Sequence, residues 1–226
     1  MLHTEEMVRA NIRTRQGKRV FFLDKGDTLT PGARDFLTRE RIGIRPAAEA
    51  AIREYELADG GVLESKPEDM THLQGNILVR KDHPRIAFRG ALDELQAEIL
   101  LCQLEIPGLR RELGELLELA RRMVRCDVLE EPLALGPLCG MTAEELRTRS
   151  HRPQEFYSQG HFMPAVTDGA AVLRLNRLRT MVRGVERLAL PAFPQGRADL
   201  LRALNRMSSL VYIWMIREKA KRSGRK

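Results

Sequence analysis

The sequence predicts an all-α protein: a five-helix bundle over residues 62–226 that follows a small N-terminal extension of mixed structure over residues 1–61. Three observations support this fold class. Of the 226 residues, 43% are hydrophobic but only 5% are aromatic, which favours packing of helices on helices. Beyond residue 87 the apolar residues recur at helical spacing. Short breaks join these stretches, as expected for antiparallel neighbours in a bundle.

The first 61 residues follow a different pattern from the rest. Val20–Leu23 is a short apolar run that predicts a strand. Thr30–Pro31 places a capping residue before a proline at the first helical position, which predicts a short helix through Phe36. A second helix is predicted for Ala47–Leu57, shortly before Gly60–Gly61. We place the boundary between extension and bundle at this glycine pair.

Five helical segments are predicted beyond that boundary. Thr142 begins the shortest, because Glu145 follows it at the spacing of a capping box. The four long segments are defined by apolar stripes at helical spacing. The stripes are Phe88, Leu92, Leu95, Ile99 and Cys102; Leu109, Leu113, Leu116, Leu117, Ala120 and Val124; Leu175, Leu178, Val182, Val185 and Ala189; and Leu200, Leu204, Ser208, Val211 and Met215.

Charge and cysteine usage give information about the binding partner and the cellular compartment. A formal net charge of +7 suits an anionic partner, whether nucleotide, nucleic acid or lipid headgroup. The basic tail over residues 217–226 is expected to be frayed and solvated. Three cysteines form no Cys-x-x-Cys motif, the N-terminus has no apolar signal segment, and Leu210–Ile216 is too short to cross a bilayer. These features predict a cytoplasmic protein without a membrane partner.

A group of charged residues borders the third long stripe. Arg179, Arg183, Glu186 and Arg187 occupy positions i, i+4, i+7 and i+8, so they share one face of a helix. Guanidinium groups in this arrangement match the oxygens of a triphosphate. The same spacing is typical of a solvent-exposed face on which neighbouring arginine and glutamate side chains form ordinary ion pairs. The spacing alone leaves both interpretations open.

A second polar cluster, Lys81–Arg85, precedes the first long helix. Pro84 suits the first turn and Asp82 suits a cap, so a structural role explains this cluster. Asp93 borders the buried row of the same helix, one residue beyond Leu92. An isolated carboxylate in such a place would be costly, which predicts a cationic partner for Asp93.

Three of these segments together resemble a known family. Arg80–Leu95 resembles the signature of the cobalamin adenosyltransferases of propanediol utilisation, the PduO type. Leu178–Arg187 resembles their Ala-Arg-Thr-x-x-Arg-Arg-Ala-Glu-Arg motif, and Leu204–Ser209 resembles their Leu-Asn-Arg-Leu-Ser-Asp motif. Each motif is weak alone, but three in the right order and at similar spacing are specific.

The ethanolamine-utilisation branch of that family, the EutT type, is the closer match. Its members are similar to this chain in Leu29–Arg34, Asp69–Leu73, Cys126–Leu133 and Ala203–Ser209. One departure is that Ser65–His72 has no glycine where the propanediol type has a glycine-rich phosphate loop. Many ethanolamine-type members also bind a metal through an upstream histidine and a Cys-Cys-x-x-Cys cluster. This chain has no cysteine before Cys102, so no protein-bound metal is expected.

The resemblance implies an ATP:cob(I)alamin adenosyltransferase, in which Co(I) attacks C5′ of the ATP ribose and expels triphosphate. It implies catalytic roles for Arg179, Arg183 and Asp93, with Arg179 at the triphosphate and paired with Asp93. Mg²⁺ is expected to travel with ATP. The family pattern also implies a homo-oligomer, a trimer with intersubunit active sites, that serves ethanolamine utilisation with a reductase and an acceptor enzyme. The implied ATP contacts are Lys66, Thr71, His72, Lys81, Glu186, Arg187 and Asn205.

The segment Gly160–Pro164 resembles a family stretch in which an apolar side chain crowds the lower face of cobalt. This implies cobalamin contacts for Phe162 and Met163. A hydrophobic anchor between helices is the alternative interpretation of the segment. His161 is expected to be a hydrogen-bonded loop histidine rather than a cobalt ligand.

Two rival classes of function remain. A non-catalytic helical regulatory protein would keep the fold and bind nucleotide or corrinoid without turnover. Arg179, Arg183, Glu186 and Asn205 argue against it, because a binder has no need of a clamp for the leaving group. A nucleic-acid binder would depend on the net charge and the basic tail alone, and no predicted helix interleaves aromatic and basic residues as that function requires.

Overall fold

The computed structural model describes residues 1–51 and 54–224. In this part of the chain, eight helices hold 58% of the residues and three small sheets hold 15%. A mostly helical chain is therefore confirmed, whereas an all-α class is too narrow. The chain divides into two compact units, residues 1–86 with 127–131 and residues 87–126 with 132–226.

The first unit combines short strands with two short helices, α1 (Glu5–Ala10) and α2 (Pro31–Arg39). The strands are β1 (Leu2–His3), β2 (Arg13–Arg15), β3 (Lys18–Leu23), β4 (Thr28–Leu29), β5 (Gly43–Pro46), β6 (Tyr55–Leu57), β7 (Val62–Leu63), β8 (Met70–Gln74) and β9 (Ile77–Arg80). They form three sheets, with strand orders β1-β4, β2-β3-β5 and β7-β6-β9-β8.

Strand β3 and helix α2 confirm two predictions. The hydroxyl of Thr30 accepts a hydrogen bond from the backbone N–H of Ala33 at 3.3 Å, and Pro31 is the first helical residue. Helix α2 connects β3 to β5, which pair in parallel. Its buried residues share a small core with Phe21 and Val8. Local capping and this apolar face together explain why the helix forms here.

The predicted helix over Ala47–Leu57 is wrong in its second half. Ala47–Ala51 form a 3₁₀ turn and Tyr55–Leu57 form strand β6, while residues 52 and 53 lie outside the described residues. Strand β6 forms because β7 and β9 supply its hydrogen-bond partners. The same sheet runs across Gly61 to Arg80, so the expected bundle residues 62–80 are largely strand and turn. A domain boundary after residue 61 stays a prediction.

Long helices form the second unit, and the four apolar stripes predicted from the sequence lie on them, except that Leu109 of the second stripe lies in a 3₁₀ turn just before its helix. Residues from α3, α4, α5, α7 and α8 share one hydrophobic core, in which Phe88, Leu113, Val182 and Leu204 are fully buried. The helices are α3 (Pro84–Glu105), α4 (Arg110–Val128), α5 (Ala143–His151), α6 (Pro153–Tyr157), α7 (Ala170–Ala192) and α8 (Ala198–Ser223). Thr142 caps α5 through the predicted capping box with Glu145.

Helices α7 and α8 pack side by side along most of their length. Trp214, on α8, is fully buried in the core. The prediction of a frayed tail over residues 217–226 is wrong up to Ser223, because α8 continues to that residue. Residues 225 and 226 lie outside the described residues. Among the described helices, none combines the length and the apolar composition that a bilayer crossing requires.

Candidate active site

An open cleft of about 680 Å³ lies in the second unit. Helix α5, the loop before α7, and helices α7 and α8 supply its lining: Ser150, His151, His161, Phe162, Met163, Pro164, Asn176, Arg179, Arg183, Asn205, Ser208, Ser209, Tyr212 and Met215. The lining has two arginines and a group of apolar and aromatic side chains, and no carboxylate among the described residues. This composition suits a ligand with an anionic part and an apolar part.

Arg179 and Arg183 lie one turn apart on α7, as predicted, and both line the cleft. The Arg179 guanidinium lies over the ring of Tyr212, 5.1 Å from its centroid, and its buried Nε has no hydrogen-bond partner among the described residues. Burial and the neighbouring Arg183 cation lower the pKa of Arg179. Within the described chain neither arginine has an ion pair, so two cations stand close together without a counter-ion. An anionic ligand would offset both the burial of the Arg179 charge and its repulsion by Arg183.

The alternative interpretation, ordinary ion pairs of Glu186 with its arginine neighbours, does not hold among the described residues of α7. Within residues 1–51 and 54–224, Glu186 forms no ion pair with Arg183 or Arg187. Its carboxylate instead accepts a hydrogen bond from Asn205 Nδ2, at 3.3 Å, which links α7 to α8. Asn205 lines the cleft, whereas Glu186 and Arg187 lie outside the lining. The structure thus brings together Arg179, Arg183 and Asn205 from the predicted ATP site.

Aromatic rings form the apolar part of the cleft. The ring of Phe162 stacks on Tyr212 with centroids 6.4 Å apart, and Phe162 also packs against the hydrophobic core. Met163 is 87% exposed, which is unusual for a large apolar residue. The position of Phe162 is compatible with both interpretations of this segment, a hydrophobic anchor and a cobalamin contact, because its ring packs between elements and also lines the cleft.

His161 is a hydrogen-bonded loop histidine in this structure. Its Nε2 lies 3.1 Å from the carbonyl oxygen of His151, and its Nδ1 lies 2.9 Å from the hydroxyl of Tyr212. Because a carbonyl can only accept, Nε2 donates, and in a neutral ring Nδ1 accepts from the tyrosine. Both ring nitrogens therefore have hydrogen-bond partners within the protein.

Sequence reasoning missed several residues that line the cleft, among them Tyr212, Asn176 and Ser209. Ser208 offered a signal, because it is a polar residue within an apolar stripe, and it is buried while it lines the cleft. Tyr212 gave no such signal, because an aromatic residue beside a core stripe is normally interpreted as part of the hydrophobic core. Its interaction with His161 joins residues 51 positions apart, a relation that helical spacing does not reveal.

The structure corrects the placement of Asp93. Leu92 and Leu95 point into the core, whereas Asp93, about 100° further round α3, is exposed and accepts a hydrogen bond from Gln96. The expected cost of an isolated carboxylate therefore does not arise within one chain. Among the described residues Asp93 forms no ion pair with Arg179. The pairing across a subunit interface stays a prediction.

The remaining predicted ATP residues lie in the first unit. Thr71 and His72 are part of strand β8, and the exposed Lys66 precedes it. Lys81 follows β9, where its backbone N–H donates to the carbonyl of Asp69 at 2.9 Å. The ring of His72 packs edge-on against Tyr55. Turn residues and the first part of β8 thus occupy the place of the glycine-rich loop, and the role of this segment toward ATP stays a prediction.

Metal-binding side chains are dispersed over the described chain. No group of three or more His, Cys, Asp or Glu side chains within it is arranged to hold a metal ion. Cys102 and Cys139 are both shielded, and burial is the main cause that raises the pKa of Cys102 to about 11 and that of Cys139 to about 12. Independence from a protein-bound metal stays a prediction that elemental analysis can test.

The fold and the cleft define a class: a mostly helical protein with an open cleft whose lining combines paired arginines with aromatic side chains. Residues 62–218 match the family model of cobalamin adenosyltransferase, and the chain belongs to that family. It is 31% identical to corrinoid adenosyltransferase EutT of Salmonella typhimurium, with 96% of this chain and 92% of that protein aligned. The protein of the same name from Escherichia coli K12 is 30% identical, over 94% and 90% of the two chains.

Proposed function

We propose that the protein is an ATP:cob(I)alamin adenosyltransferase, which makes adenosylcobalamin and triphosphate and serves ethanolamine utilisation. The observation that carries this proposal is the uncompensated pair Arg179 and Arg183 in one cleft with Phe162 and Tyr212. The arginines suit the phosphates of ATP, and the aromatic surface suits the flat face of a corrin ring. Membership of the family and the names of its relatives support the same activity.

The reaction is a displacement at the ribose. The electron pair of Co(I) forms a bond to C5′ while the C5′–O bond breaks, and the electron pair of that bond leaves on triphosphate. Negative charge grows on the departing oxygen, so Arg179 and Arg183 stabilise the transition state if the triphosphate lies along α7. Cobalt supplies the reactivity, and the protein supplies alignment and charge.

Further contacts to ATP follow from the family motifs. We propose that Asn205, Glu186 and Arg187 extend the site along α7 and α8, and that Lys66, Thr71, His72 and Lys81 also contact ATP. Mg²⁺ would accompany ATP. Because the described cleft lining has no carboxylate, the ion would be held by phosphate oxygens and water rather than by this cleft.

On the corrinoid side, Phe162 and Met163 are proposed to approach the lower face of cobalt. Phe162 stacks on Tyr212, and Met163 is exposed at the same cleft, which supports contacts of both with a large apolar ligand. An apolar side chain in that position excludes a lower axial ligand. Loss of that ligand makes reduction to Co(I) easier.

The finer architecture is also a proposal. We propose a five-helix bundle of the adenosyltransferase type, built on α3, α4, α5, α7 and α8, that assembles into a trimer with intersubunit active sites. Asp93 of one subunit would pair with Arg179 of its neighbour, and the exposure of Asp93 in the single chain leaves it accessible for this. A cytoplasmic setting, a reductase and a corrinoid-dependent acceptor enzyme complete the proposal.

A direct test mixes the protein with ATP, Mg²⁺ and chemically reduced cobalamin, and follows the corrinoid spectrum. Adenosylcobalamin should form together with triphosphate, and light should reverse the spectral change because it cleaves the Co–C bond. The second candidate, a non-catalytic nucleotide- or corrinoid-binding regulator, predicts binding of both ligands without product. Retention of the paired arginines favours the enzyme.

A further inference from the structure

Lys219 lies on the face of α8 that lines the cleft but outside the cleft itself. Tyr212, Met215 and Lys219 are spaced i, i+3 and i+7, so they follow one another along the same side of the helix. Tyr212 and Met215 line the cleft, and Lys219 comes one turn later. The segment that matches the family model ends at residue 218, one position before it.

The ammonium group of Lys219 touches the loop before α7 at two points. Its Nζ lies 2.9 Å from Oδ1 of Asp168, and 4.2 Å from the centroid of the Phe162 ring. The Asp168 side chain is 9% exposed and that of Lys219 is 25% exposed, so the ion pair is partly shielded from water. Such shielding strengthens both the ion pair and the cation–π contact.

The same loop is closed around Asp168. Its second oxygen accepts a hydrogen bond from the backbone N–H of Ala165 at 2.9 Å, which holds the turn over residues 165–168. Gly169 follows with φ of +88°, and a Cβ there would lie 2.3 Å from a guanidinium nitrogen of Arg222. Two basic residues of α8 therefore pack against one short turn. That turn connects directly to the segment that carries Phe162.

We infer that Lys219 is a positioning residue for the corrinoid side of the active site: it holds Phe162 in the cleft by tying its loop to α8 through Asp168. The inference deepens the proposed function and rests on it. Tyr212 gives the Phe162 ring one contact surface, and Lys219 gives it a second from the same helix. Without the ammonium group the ring keeps its stacking contact but loses the anchor of its loop.

The test uses the full chain with Lys219→Met, which keeps an unbranched side chain and removes the charge, and Lys219→Arg, which keeps both contacts. Lys221→Met is the matched control, because Lys221 pairs with Glu218 on the same helix and has no described contact with the loop. Asp168→Asn is a second route to the same loss. Amide hydrogen exchange over residues 160–169 is measured without substrates, and KM is measured for cob(I)alamin and for ATP.

Lys219→Met and Asp168→Asn should exchange the loop amides about tenfold faster than the parent, because a local anchor is lost. KM for cob(I)alamin should rise about fivefold while KM for ATP stays within about twofold. The four-coordinate electron paramagnetic resonance signal of bound Co(II)cobalamin should weaken in parallel. Lys219→Arg should restore all three, and Lys221→Met should leave them at parent values.

Parent-like loop exchange and KM in Lys219→Met would overturn the inference and leave the proposed function standing. Equal increases of both KM values with an unweakened Co(II) signal would also overturn it, since they would indicate a structural role only. A parent protein that binds ATP and reduced cobalamin but forms no adenosylcobalamin would overturn the proposed function, and with it this assignment.

Discussion

Helix α7 carries two pairs of arginines with opposite surroundings. On one side, Arg174 and Arg177 lie 3.3 and 3.2 Å from the two carboxylate oxygens of Glu98, which is 4% exposed on α3. The contact to Arg174 is an ion pair without hydrogen-bond alignment. On the other side, Arg179 and Arg183 have no carboxylate partner among the described residues. One pair is satisfied within the fold, and the other pair is not.

The local electrostatics follow the same division. Near the first pair, burial and then the Glu98 carboxylate raise the pKa of Cys102 to about 11. Near the second pair, burial and then the Arg183 cation lower the pKa of Arg179. A protein that can neutralise one pair of arginines with a buried glutamate, yet leaves the next pair open in a cleft, has the second pair available for a ligand. The predictions below test that division.

The largest effect is expected at Glu98, and it should be on stability. Glu98→Gln removes a nearly buried carboxylate that contacts two guanidinium groups and leaves Arg174 with Glu105 alone, so the free energy of unfolding should fall by about 3 kcal/mol, the lower end of the range for a broken buried pair. Denaturant unfolding measures this loss. Glu118→Gln is the control, because its ion pair with Arg121 is exposed and should contribute less than about 1 kcal/mol. Equal effects of the two substitutions would show that the Arg174 side is not structural.

Arg183→Ala should reverse the pattern, with a loss of turnover and no loss of stability. Removal of one charge from the leaving-group site should lower turnover on the order of a hundredfold. The folded protein should be as stable as the parent, because the substitution removes a repulsion with Arg179. Arg121→Ala, on the exposed face of α4, serves as the control. Turnover within about twofold of the parent would take Arg183 out of the site.

The subunit arrangement gives the next effect. If Asp93 and Arg179 pair between neighbours, Asp93→Asn and Arg179→Ala should each impair activity and assembly, because the remaining charge is stranded at the interface. A mixture of the two variants should recover part of the activity, since some interfaces then contain one intact pair. Subunit exchange must be verified independently. A mixture that exchanges subunits and stays inactive would contradict the intersubunit pair.

The apolar part of the cleft is tested by spectroscopy. With ATP bound, Co(II)cobalamin should give the electron paramagnetic resonance signal of a four-coordinate species, and that signal should weaken in Phe162→Ala. Phe156→Ala is the control, because Phe156 is an exposed aromatic residue on α6 and does not line the cleft. If Phe162→Ala and Met163→Ala both leave the signal unchanged, another residue covers the lower face of cobalt.

The smallest effect is expected from metal removal. Purified protein should contain no stoichiometric iron or zinc, and a chelator that is afterwards replaced by excess Mg²⁺ should leave turnover unchanged. The expectation follows from the absence of cysteine before Cys102 in the sequence. One tightly held transition metal ion per chain, lost together with activity, would contradict it.

The helices and the arginine face could be predicted because both depend on local spacing. A stripe such as Leu175, Leu178 and Val182 identifies a buried helix face on its own, and it fixes where Arg179 and Arg183 point. Strand β6 could not be predicted in this way, because its partners Val62–Leu63 and Ile77–Arg80 lie elsewhere in the chain.

Relations between distant residues explain the other differences. Helical spacing correctly predicts that Leu92 faces the core, but proximity to this buried row does not predict that Asp93 points to solvent. Tyr212 touches Arg179, His161 and Phe162, which come from two separate segments. The position of Tyr212 in the site depends on the packing of α8, so the sequence pattern does not predict it.

Trp214 is the sole source of indole fluorescence in the protein. It is the one tryptophan in the sequence, it is fully buried, and it lies two residues from Tyr212 and next to Met215, which both line the cleft. Selective excitation of indole therefore yields emission from the second unit alone, while the first unit remains dark. A corrin ring absorbs light in the range where indole emits, so a corrinoid in this cleft would quench that emission by energy transfer.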